Sequence, residues 1–155
     1  MGTAKPLSPP SERPARPVRR RLKVRRGGAS LTGVCDFVGS AAAASGFDDR
    51  TSHACQLAVC EAVENIIQHG YQVDSGEIDV SAQSAPGALT VEIVDRAPAF
   101  DPTRYPVDPR ASLREARVGG RGLLMIRRVM DEISYERRGR QNILRLTKNR
   151  FFTGV

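Results

Sequence analysis

The sequence has no run approaching the roughly 18 apolar residues that a membrane-spanning helix needs. Nor does an apolar segment follow its N-terminal charges, as one would in a secretory leader. A soluble, cytoplasmic protein without membrane association is therefore expected. Cysteine is scarce. Cys35, Cys55 and Cys60 are an odd number with no C-x-x-C pair, which argues against a disulfide framework and a zinc knuckle and for a reducing compartment. Two phosphate-binding signatures are missing as well. There is no G-K-[ST] loop, and the glycine cluster Gly119 to Gly122 does not follow a first strand as a dinucleotide fingerprint would.

What is present suffices for one domain: 155 residues, 40% of them hydrophobic, can bury a core without metal or disulfide staples. The net charge of +7 suggests nucleic acid until it is located. Nine of the 24 Lys and Arg fall in residues 1–26 beside one acid, Glu12, which leaves 15 bases against 16 acids in the rest. A globular part so nearly neutral has no field for gathering polyanions, so nucleic acid is not an expected partner. Residues 1–17 hold Pro6, Pro9, Pro10, Pro14 and Pro17 among Ser and Arg, with almost nothing to bury. The chain divides into a disordered, basic, Pro-rich tail at 1–19 and a folded domain at 20–150.

Leu22 and Val24 alternate with charges, the period of a half-buried strand. A helix is expected from Ser30 to about Ser45, stopped at Gly46, and a second, capped by Asp48 or Asp49, runs to Gly70. Period two then returns: Ile78 and Val80, and beyond a Pro86-Gly87 turn Leu89, Val91 and Ile93, form a hairpin. Residues 96–118 are Pro-rich and irregular, as a lid or binding loop would be. A third helix opens at Gly119 to Gly122, and strands around Ile133–Glu136 and Ile143–Leu146 flank Gly139. Strands outside a βαβ rhythm point to an α+β two-layer sandwich.

Three elements carry chemistry. In LAVCEAVENIIQHGY, Glu61 and Asn65 lie four apart and project from one helix face. A carboxylate there can take the proton of an attacking hydroxyl, and an amide oxygen can hold Mg²⁺ against phosphates. In VEIVDRAPAFDP, a strand delivers Asp95 where it can accept a hydrogen bond from the exocyclic amine of adenine. In GGRGL, the glycines of Gly119, Gly120, Arg121, Gly122 and Leu123 open a helix whose bare N–H groups and dipole suit phosphate oxygens. Each is weak alone: Glu/Asn pairs, strand-end Asp residues and Gly-rich turns are mostly structural. His69 reads as a helix-end residue facing terminal carbonyls, and Arg127-Arg128 and the Arg137-Arg138-x-Arg140 cluster read as solvated faces or turn charges.

In this order the three elements resemble the N, G1 and G2 boxes of the GHKL ATPase superfamily, and within it the anti-sigma factor serine/threonine kinases of stress-response and sporulation switches. EAVENIIQHGY and GGRGLLMIRRVMDEISYE are the specific stretches, and the likeness runs from about Arg20 to Lys148. The resemblance implies a Bergerat-type sandwich, a mixed, mostly antiparallel sheet with helices on one face and ATP under a lid. It implies Glu61 as general base, Asn65 as Mg²⁺ ligand, Asp95 as adenine reader and Gly119 to Leu123 as the phosphate loop. Arg104, Arg114 or Arg117 would neutralise phosphate charge from the lid. The implied partners are a sigma factor, a small single-domain anti-sigma factor antagonist as phosphorylation substrate, and a second copy of the chain in a homodimer. A nucleotide-dependent binding module with little transferase activity is the alternative.

The chain departs from the superfamily at D-x-G-x-G, where Asp95, Arg96, Ala97, Pro98 and Ala99 stand. Alanine at a positive-φ position costs roughly 1 kcal/mol and adds a methyl beside the base, so weaker nucleotide binding is expected.

Overall fold

The computed structural model describes residues 16–25, 31–70, 76–108, 110 and 120–151. Five strands and three helices follow in the order β1 (Val18–Arg25), α1 (Leu31–Ala44), α2 (Asp49–Asn65), β2 (Glu77–Ala85), β3 (Ala88–Asp95), α3 (Gly120–Val129), β4 (Glu132–Arg138) and β5 (Gln141–Asn149). The strands form one sheet in the order β1-β2-β3-β5-β4, and all four described pairings are antiparallel. Val18 and Arg19, inside the segment read as tail, are strand residues paired with Ser84 and Gln83.

Period-two alternation assigns the faces. On β3, Leu89, Val91, Ile93 and Asp95 are buried while the residues between them are half-buried. The buried face meets α1 and α2 in a core of Val34, Val38, Cys55, Val59, Val63, Ile78, Val80 and Leu146. Burying each such side chain stabilises by roughly 1.5–3 kcal/mol. The other face carries charge. Glu92 on β3 pairs with Arg145 of β5 at 2.9 Å and with Arg19 of β1 at 3.3 Å, and Arg145 also reaches Glu136 of β4 at 3.5 Å. These pairs are partly exposed and add little stability.

The breaks fall where the sequence puts them. Gly46 and Gly87 adopt φ of 82° and 72°, in the left-handed region that glycine alone enters freely. Asp48 caps α2 by accepting from Thr51 N at 2.8 Å. Helices α1 and α2 cross closely at Gly39, where a Cβ would stand 2.0 Å from Gln56 Nε2. That nitrogen donates to the Cys35 carbonyl oxygen at 2.9 Å.

One expectation is corrected here. Cys35 of α1 and Cys60 of α2 are joined as a disulfide, their Cα atoms 6.2 Å apart. The pairing arises from helix packing across 25 residues, which an odd cysteine count with no C-x-x-C pair cannot signal. Cys55 is the free, buried cysteine, its thiol pushed up to about 11 by burial.

Candidate nucleotide site

Helix α2 does not stop at Asn65 but widens into a π-helical turn, Ile66–Gly70. Such turns often mark functional sites, because they re-aim the residues beside them. A cleft of about 410 Å³ lies between this turn, the end of β3, the loop that follows it, α3 and the β4–β5 hairpin. That is within the range of small-molecule pockets. Its walls are mostly apolar, with Asn65, His69, Asp95, Tyr105, Tyr135 and Asn142 as the polar lining.

Asp95 is only 5% exposed, and Asn142, its register partner on β5, is equally buried. Asp95 Oδ1 accepts from Ala97 N and from Asn142 Nδ2, each at 2.8 Å. Ala97 is buried, and a Cβ on Gly70 would lie 2.8 Å from the Ala97 Cβ. The methyl that replaces the family's glycine therefore packs into space that Gly70 leaves open.

Glu61 is not among the cleft-lining residues. It stands beside Asn65, and both meet the first turn of α3: a Cβ on Gly122 would come within 2.8 Å of Glu61 Oε2 and 3.1 Å of Asn65 Nδ2. Glycine alone lets the helix start so close. Burial raises the Glu61 pKa above the usual value, the charge of Glu64 raises it further, and Arg121 partly opposes both. Of the remaining glycine-loop residues, Leu123 is buried and lines the cleft, Arg121 is exposed and Gly120 has open space around it. Gly119, Arg114 and Arg117 lie outside the described residues.

Two readings of arginines are corrected. Arg127 is not simply a solvated charge: its Nη2 donates to the carbonyl oxygens of Pro102, Thr103 and Tyr105 at 2.9, 3.3 and 2.6 Å, tying the loop after β3 to α3. Arg137 likewise turns inward, donating from Nη1 to Asn142 Oδ1 at 2.7 Å and to the Ala97 carbonyl oxygen at 2.9 Å. Arg138 does remain an outward charge, paired with Glu136 at 2.6 Å. Arg104 pairs with Asp101 at 3.6 Å on the exposed part of the loop. Asn142 and Tyr135 escaped the sequence reading, although an Asn on the same face as Leu144 and Leu146 was a visible sign of a buried polar role.

An antiparallel sheet under helices, with a buried carboxylate at one side of a cleft and a glycine-opened helix at another, defines a nucleotide-binding α+β domain. The chain belongs to the histidine kinase-like ATPase domain family, whose pattern matches residues 27–148, and as such it binds ATP. It is similar to the serine/threonine-protein kinase BtrW of Bordetella bronchiseptica, 34% identical over 97 residues, which cover 60% of this chain and 68% of that protein. It is also similar to the serine-protein kinase RsbW of Listeria monocytogenes, 30% identical over 113 residues, 69% of this chain and 68% of that protein. An anti-sigma F factor of Thermoanaerobacter is 31% identical over 95 residues, covering 60% of this chain and 66% of that protein. The chain thus spans about two thirds of the length of these relatives.

Proposed function

We propose that this chain is an anti-sigma factor and ATP-dependent protein serine/threonine kinase that phosphorylates an anti-sigma factor antagonist in a partner-switching system. The observation that carries the reading is the contact of Gly122 with both Glu61 and Asn65, which sets a carboxylate and an amide against the start of α3. The kinase and anti-sigma names of its relatives support it.

The residues present fit ATP and Mg²⁺. Asp95 offers a carboxylate acceptor to the adenine amine, the apolar cleft takes the base and sugar, and the first turn of α3 offers backbone N–H groups to phosphate oxygens. Asn65 Oδ1 would hold Mg²⁺ together with those oxygens. Phosphate oxygens of the nucleotide and water would complete the coordination. When bound, the ion neutralises phosphate charge.

Glu61 accepts the proton of the antagonist's Ser or Thr hydroxyl as its oxygen bonds to the γ-phosphorus and the bond from that phosphorus to ADP breaks. A carboxylate whose pKa is raised by burial is a stronger proton acceptor than an exposed one. The sigma factor competes with the antagonist for the kinase, which works as a homodimer in the cytoplasm.

The test is γ-labelled ATP with Mg²⁺ and the small antagonist. Label should reach a Ser or Thr of the antagonist, and Glu61→Gln should stop transfer while nucleotide still binds. Transfer by Glu61→Gln at the wild-type rate would remove Glu61 as the base. ATP-dependent partner binding without transfer would leave a binding module in place of a kinase.

A further inference from the structure

Behind Asp95 stands a hydrogen-bond relay that the roles assigned so far do not use. Asn142 Oδ1 accepts from Tyr135 Oη and from Arg137 Nη1, both at 2.7 Å. An amide oxygen claimed by two donors, one of them a cation, cannot turn toward Asp95. The amide nitrogen must therefore face the carboxylate, where it donates to Asp95 Oδ1 at 2.8 Å and to the Ala97 carbonyl oxygen at 3.0 Å. Arg137 Nη1 meets that same carbonyl oxygen at 2.9 Å, so the turn after Asp95 is held from β4 and β5 together. Asp95 and Asn142 are both 5% exposed, where charge-assisted hydrogen bonds are strong and an unmatched acceptor is costly.

We propose that Arg137, acting through Asn142, is a positioning residue that holds Asp95 as an acceptor and so sets the preference for adenine over guanine in this chain. The inference rests on the reading of the cleft as the nucleotide site. With Oδ1 taken by Asn142 and Ala97, Asp95 meets the base with Oδ2, which accepts from the adenine amine and repels the carbonyl oxygen that guanine carries there. Without Arg137 the amide oxygen keeps Tyr135 as its donor while the Ala97 carbonyl oxygen loses its guanidinium contact, so Asn142 and the turn after Asp95 are held less firmly and the carboxylate is less fixed against the base. The relay also holds the turn in a chain whose Ala97 and Ala99 replace the usual glycines.

The test is binding of ATP and GTP, each with Mg²⁺, to the full chain by calorimetry. Arg137→Ala should raise the Kd for ATP about tenfold, as expected for losing a charged hydrogen bond, and should narrow the ratio of GTP to ATP Kd. Arg137→Lys, able to remake the Nη1 contacts, should recover most of both. Arg138→Ala, which removes the outward neighbour, should change neither. An unchanged ATP Kd in Arg137→Ala overturns the proposal. So does an equal rise for both nucleotides, which is what a merely structural role predicts. If Arg137→Ala does not fold, Tyr135→Phe removes the other donor and should raise the ATP Kd roughly threefold, with no change counting against the relay. A wild-type chain that binds no ATP overturns the site reading and this inference together. One that binds ATP without transferring phosphate overturns the kinase reading alone, and the Kd ratios still decide the role of Arg137.

Discussion

At the sheet side of the cleft, Asp95 is fixed by two hydrogen bonds to one oxygen, backed by Asn142, Tyr135 and Arg137. At the helix side, Glu61 and Asn65 are set by the missing side chain of Gly122. The two sides hold their carboxylates by different means, which suits the different work proposed for them. A base reader must stay still, and a dense network of donors does that. A proton acceptor must gain and lose a proton each turnover, and donors locked onto it would lower its basicity. Contact with a bare Cα positions Glu61 without drawing on its charge.

The largest effect expected from breaking this arrangement is at the helix side. Glu61→Gln keeps the shape and removes the proposed base, so antagonist phosphorylation should fall by about 10²- to 10⁴-fold while the ATP Kd changes little. Next is Gly122→Ala. The added methyl would overlap Glu61 Oε2 and crowd Asn65, and a displacement near 1 Å at such a site costs about 10²-fold in transfer. Its readout separates function from folding, because Ala favours helix over Gly and the obstructed atom is the end of a flexible side chain. The melting temperature should therefore hold or rise while transfer is lost. A variant that transfers normally would show that Glu61 works from elsewhere.

Smaller again is the effect at the loop joining the two sides. Arg127 ties three carbonyl oxygens of residues 102–105 to α3, and the Phe100 and Tyr105 rings lie 5.7 Å apart on that loop. Arg127→Ala should raise the KM for ATP about threefold to tenfold and open the loop to limited proteolysis, leaving the sheet intact. Equal KM and protease resistance would show that the loop is held without it.

The helix side was readable because its signals are local. A spacing of four puts Glu61 and Asn65 on one face of α2 in any sequence, and glycines before an apolar helix pattern mark a helix start. Asp95 was readable for a similar reason, as the last residue of a strand whose alternation is regular. The relay behind it was not. Arg137 reaches Ala97 across 40 residues, and its guanidinium turns inward only because β4 pairs with β5 in the observed register. From the sequence it is one of several arginines near a turn. The Cys35–Cys60 pair and the Gly39–Gln56 contact were hidden in the same way, since both depend on how α1 lies on α2. Asn142 lies between: its type and its face were visible, but its partners were not.

The finest distinction between the two sides lies in the protons. Burial first and Glu64 second raise the Glu61 pKa above the usual 4.5, so the acid limb of kcat for phosphoryl transfer should lie above the pH of an ordinary glutamate. Glu64→Gln removes the second cause and should move that limb toward acid, with transfer at neutral pH nearly unchanged. For stability the sign is opposite to that of a paired carboxylate. A group whose pKa is raised by folding contributes stability below its unfolded value, and that contribution is lost as pH rises through the folded value. At neutral pH ionised Glu61 therefore weighs against the fold, and Glu61→Gln should melt slightly higher than the wild type. A lower melting temperature would mean that the Glu61 charge is paired in the folded protein, and the reading of Glu61 as a base held by contact alone would fall with it.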